Sequence, residues 1–72
     1  MEFDFSKLLG RIVEKFGTRS AFAAAIGMTD PSLSNRLNNK ISFDMEEIHQ
    51  ACEALDIQPE EIGAYFFTPK VR

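Results

Sequence analysis

The stretch that most restricts how this chain folds is Thr18 to Lys40, TRSAFAAAIGMTDPSLSNRLNNK, which holds two short helices with a cap at the head of each. Thr18 stands before Phe22, Ala23 and Ile26, whose spacing gives one apolar face. Gly27 follows, the residue for which a left-handed backbone costs least, and it closes the helix. Thr29 caps the next helix, in which Leu33 and Leu37 point inward while Ser32, Ser34, Asn35 and Arg36 lie largely outside. Ala23 is small at the level where the two helices must cross closely. Gly27, Met28 and Thr29 between two such helices form the connection of a helix-turn-helix that reads DNA. Sequence-specific DNA binding is therefore the leading expectation.

Seventy-two residues make one domain with a thin margin of core. At 44% hydrophobic residues the chain is not a disordered tail. Its one cysteine, Cys52, excludes an internal disulfide and any zinc finger built on paired cysteines. The start MEFD has no basic stretch of the kind that opens a secretory signal, and with the single cysteine it points to the cytoplasm. The apolar run Ala21 to Ile26 falls far short of the ~18 residues that span a bilayer. No membrane association is expected.

Net charge runs against DNA binding at first sight, because DNA is a polyanion and the chain stands at −3. The distribution softens the objection. In residues 5–43, Lys7, Arg11, Lys15, Arg19, Arg36 and Lys40 against Glu14 and Asp30 leave +4. In residues 44–72, Lys70 and Arg72 against Asp44, Glu46, Glu47, Glu53, Asp56, Glu60 and Glu61 leave −5. Glu2 and Asp4 supply the remaining −2. Salt screens charges beyond ~8 Å, so a phosphate responds to the half nearest it.

The pattern predicts five helices, at about 6–16, 19–26, 30–38, 45–55 and 59–66, and no sheet. In the first, Phe5, Leu8, Leu9, Ile12, Val13 and Phe16 form a single stripe, capped by Asp4 or Ser6 and closed by Gly17. Pro31 suits the first turn of the third helix, where its missing N–H costs no bond. Asn38, Asn39 and Lys40 break the period with the best non-glycine residue for a left-handed stop, and Phe43 returns to the core. Asp44 to Glu47 reads as a capping box opening a helix whose inner face is Met45, Ile48, Cys52 and Leu55. Gln58-Pro59-Glu60-Glu61 starts the fifth, with Ile62, Tyr65 and Phe66 inward, and the tail Thr68 to Arg72 is expected to be extended or frayed.

A helix entering the major groove presents its N-terminal residues to base edges. Asp30, Ser32, Ser34, Asn35 and Arg36 occupy that region, and Asn35 and Arg36 are of the types that pair with adenine and guanine. Thr18 and Arg19 begin the preceding helix, whose N-terminus rests on the backbone. Lys40, with the amides near Asn38 and Asn39, suits a second phosphate clamp. The plainer reading makes these ordinary solvated residues of a helical bundle that binds protein.

The order of elements, with AFAAAIGMTDPSLSNRLNNK followed by ISFDMEEIHQACEALDI, resembles the Cro/repressor-type (Xre-like) helix-turn-helix proteins of phages and prophages, over roughly residues 6–66. The resemblance implies an all-α, five-helix, lambda-repressor-like DNA-binding domain, binding operator DNA as a two-fold dimer and repressing transcription by occupancy. Carried over by position, Arg19 matches a phosphate or outer base contact. Thr29, Asp30, Ser32 and Asn35 match the reading surface, and Asn38 to Lys40 the phosphate-binding turn. Three residues depart from the family. Asp30 stands where glutamine is frequent, Arg36 takes a commonly apolar position from which it would point to phosphate or lie across the bundle, and Asn39 replaces a common glycine. The first two put specific base contacts in question.

His49 stands alone, Cys52 lies on an apolar stripe, and the paired glutamates begin helices, so no enzyme, metal or cofactor is expected. Of Tyr65, Phe66 and Phe67, a bundle this small buries one or two, and a leftover ring favours a homodimer contact. The rival to a DNA-binding regulator is an interaction module whose acidic half engages a basic protein.

Overall fold

The computed structural model describes residues 2–71, and the chain forms an all-helical domain with no strand among them. Helix α1 runs Ser6–Phe16, α2 Arg19–Ala25, α3 Asp30–Leu37 and α4 Met45–Leu55. A 3₁₀ turn over Pro59–Glu61 leads into α5, Ile62–Phe66.

The caps explain most boundaries. Thr18 Oγ1 accepts from the Ala21 amide at 3.1 Å and Thr29 Oγ1 from the Ser32 amide at 3.3 Å. At α4 the box is reciprocal: Asp44 accepts from the Glu47 amide, and the Glu47 carboxylate accepts from the Asp44 amide. At α1 neither expected residue is the cap: Phe5 holds that position without a side-chain bond, while Asp4 Oδ1, one residue further out, accepts the Ser6 amide and the Ser6 hydroxyl. Gly27 sits at φ 70°, the left-handed conformation that turns the chain from α2 into α3. Asn39 takes the same conformation at φ 63° after α3.

Two helices end one residue earlier than their periodicity suggests, because Ile26 and Asn38 have already left helical geometry as C-caps. The fifth is broken by its own start, since Pro59 and the two glutamates wind as a tighter turn before α5 proper.

The core is a contiguous cluster built on Leu8 and Ile12 of α1, Phe22 and Ala23 of α2, Leu33 and Leu37 of α3, Ala51 and Leu55 of α4, and Tyr65 and Phe66 of α5. Phe43 packs edge-on against Phe5 and Phe66, closing the lower end. Two residues placed on inner stripes face water instead: Val13 is 56% exposed and Met45 87%. Half-buried Phe43 packs against the core next to the head of α4, and Ala51 is fully buried further along that helix.

The tail is not frayed. The Asp4 amide donates to the Thr68 carbonyl at 2.8 Å and the Lys70 amide to the Glu2 carbonyl at 3.0 Å, forming an isolated antiparallel bridge between Phe3 and Pro69. Arg72, the last residue of the expected tail, lies outside the described residues. Phe67 remains 51% exposed, its ring edge-on to Phe3.

Candidate functional site

The sequence placed its candidate residues on α2, α3 and the turn that follows, and the structure sorts them into three groups. Arg19, Asp30 and Ser34 gather with Ser20 around a hollow of about 190 Å³ where the head of α2 meets the head of α3. Ser20 Oγ donates to Asp30 Oδ2 at 2.7 Å. Asp30 is thus tied back to α2. Ser20 was not among the residues the sequence singled out. Its partner is ten positions away and is reached only through the crossing of the two helices.

The second group is accessible. Thr18, Arg19, Thr29, Asn38 and Lys40 are exposed, and Ser32, Ser34 and Asn35 are half-buried along the outer side of α3. Asn38 Nδ2 donates weakly to Ser34 Oγ at 3.3 Å.

The third group is occupied with the fold. Arg36 crosses to α4: its Nε donates to Glu47 Oε1 at 2.8 Å, its Nη1 to the Ser32 carbonyl at 3.0 Å, and its side chain is only 16% exposed. The neighbouring guanidinium holds the Glu47 carboxyl below its ordinary value of 4.5, and the same hydrogen bond raises Arg36 further. Glu47 is also the residue that closes the α4 capping box, so one carboxylate ties α3 to the start of α4. Arg36 does not project as a free base reader.

Asn39 is engaged in the same way. Its Oδ1 accepts from the Phe3 amide at 2.9 Å and its Nδ2 donates to the Phe3 carbonyl at 3.0 Å, a two-point clamp on the N-terminal segment. The amides of Asn38, Asn39 and Lys40 donate to the carbonyls of Ser34, Arg36 and Asn35. The expected phosphate clamp thus keeps the side chains of Asn38 and Lys40 but has no unsatisfied N–H to offer. The left-handed stop was readable; the clamp was not, since Phe3 lies 36 positions upstream.

Electrostatically, this surface offers Arg19 and Lys40 as cations without an ion pair among the described residues, with Asp30 between the helix heads. Elsewhere, exposed His49 meets Glu53 at 3.1 Å, and burial pushes the Cys52 thiol above its ordinary range. No group of His, Cys, Asp or Glu among the described residues is arranged to hold a metal, and no helix is long and apolar enough to cross a membrane.

Comparison with known proteins finds high similarity to a solved phage protein. The solution structure of the modulator of repression of the temperate bacteriophage TP901-1 from Lactococcus lactis matches with a TM-score of 0.83 and 42% identity, over 100% of this chain and 97% of that one. No curated protein matches the sequence. The family described as "Protein of unknown function (DUF739)" matches residues 1–69. The chain belongs to the DUF739 family.

Proposed function

We propose that this chain is a phage or prophage regulator that modulates repression by contacting another protein, the repressor of the phage that encodes it. The carrying observation is the commitment of Arg36 to Glu47, which leaves the α2–α3 surface with Arg19 and Lys40 against Asp30. Binders of duplex DNA draw most of their affinity from cations set against phosphates, and two cations offset by a carboxylate supply little of it. The likeness to a modulator of repression gives the regulatory setting. The acidic 44–72 half, at −5, suits a basic protein surface.

A second reading keeps the direct DNA mechanism, with the α2–α3 pair as a lambda-repressor-like helix-turn-helix and a homodimer on an operator. It is favoured by the two threonine-capped helix heads lying side by side, with Ser32, Ser34 and Asn35 accessible behind them.

Fluorescence anisotropy separates the two. The purified protein, alone, is titrated onto intergenic DNA beside its gene and onto scrambled DNA at two salt concentrations, and its binding to the purified repressor is measured by calorimetry. The expected result is a repressor complex and no preference for the intergenic fragment. Tight, salt-sensitive and selective DNA binding by the protein alone would establish the second reading. In that event Asn35→Ala should cost about 1–3 kcal/mol on the operator, and Lys40→Ala should weaken all DNA alike.

A further inference from the structure

An open apolar groove of about 570 Å³ runs between α4 and the segment from Ile57 to Ile62. Ile48, Cys52, Ile57 and Ile62 line its floor, and Met45 and Phe67 stand at its border as two of the most exposed large apolar side chains of the molecule. A smaller hollow, lined by Phe3, Ile41 and Phe43 and by the Glu47-paired Arg36, adjoins it through Ile48 and Phe67. None of the accessible α2–α3 residues lines the groove.

The rim has one sign. Glu53 and Asp56 face the groove, no lysine or arginine lines it, and the one basic group present, His49, is paired with Glu53. The nearest arginines are engaged: Arg11 donates to the carbonyls of Leu55 and Asp56, and Arg36 to Glu47.

We propose that this groove docks one basic amphipathic helix of a partner protein. Its apolar residues, at i, i+3 or i+4 and i+7, would cover Ile48, Cys52 and Ile62, and its lysines or arginines would meet Glu53 and Asp56. The proposal rests on the protein-contact reading above and names the surface that makes the contact. Helix α4 has 11 residues and is about 16 Å long at 1.5 Å per residue, the length of about three turns of a docked helix. Charge selects the occupant. A second copy docked groove to groove on a two-fold axis would set Glu53 and Asp56 against the same carboxylates. An anionic membrane would be repelled by the same rim.

The test titrates the isotopically labelled full-length protein with a synthetic peptide of leucine and lysine at helical spacing, and with its leucine–glutamate counterpart, followed by NMR. The lysine peptide should move the amides of Met45 to Ile62, and the glutamate peptide should not. Glu53→Lys with Asp56→Asn should weaken the lysine peptide at least tenfold; both side chains are exposed, and asparagine keeps the left-handed conformation of Asp56. Equal binding of both peptides, shifts centred on α2 and α3, or groove amides that move with protein concentration alone, as a second copy would cause, each overturn the site. The double variant is also tested against the phage repressor. Undiminished repressor binding overturns this groove and leaves protein contact standing, whereas an unaltered protein that never binds repressor overturns the protein-contact reading itself.

Discussion

Arg36 and Glu47 show how a residue's type suits one role while its place in the fold assigns it another. Arginine on the outer side of a short helix is the standard guanine reader, but this one stands at a position that is commonly apolar in the family the chain resembles, which left it to point to phosphate or to lie across the bundle. The deciding partner comes from the next helix, where Glu47 was legible as the end of a capping box but not as an ion-pair partner. Because the Glu47 carboxyl titrates below its ordinary value of 4.5 in the folded state, it contributes stability that is fully present above that value. That contribution disappears as pH falls through the lower, folded value. Asp4, held down by its hydrogen bonds from Ser6, acts in the same direction. Melting temperature should therefore fall on acidification below about pH 4.5, and Glu47→Gln should remove part of that slope while costing about 1–2 kcal/mol at neutral pH. An unchanged slope in the variant would assign the acid sensitivity elsewhere.

At the scale of elements, the caps and turn residues made the helices readable, because Thr18, Thr29, Asp44 and Gly27 act on backbone within a few positions. What sequence periodicity missed is set by neighbours. Val13 satisfies the stripe of α1 and Met45 that of α4, yet both face water because no neighbouring element covers them. The turn after α3 combines both kinds of information. Its left-handed stop at Asn39 was legible, whereas its hold on Phe3 depends on the tertiary fold. Two substitutions separate these duties. Asn39→Gly keeps the backbone conformation and removes the clamp, and should cost about 1–2 kcal/mol in urea unfolding. Asn39→Ala removes the clamp and adds about 1–2 kcal/mol of left-handed strain. Equal stabilities for the two would mean that the backbone conformation at Asn39 carries no strain worth counting.

For the whole molecule, a domain of this size has a total stability of about 4–10 kcal/mol. Leu55 of α4 and Phe22 of α2 are fully buried in the shared core, and truncating either to alanine removes about 2–5 kcal/mol. Each variant should show a circular-dichroism melt lowered by at least 10 °C, or no cooperative transition at 37 °C. The bridge between Phe3 and Pro69 gives the molecule a further, directional property. Its two segments run antiparallel, so Glu2 and Lys70 form the outermost rung and Asp4 and Thr68 the next one inward. Tension entering through residues 2 and 71 would load these rungs one after another rather than together. The domain would open like a zipper from its ends, at low force, with the helices still packed behind the parted strap.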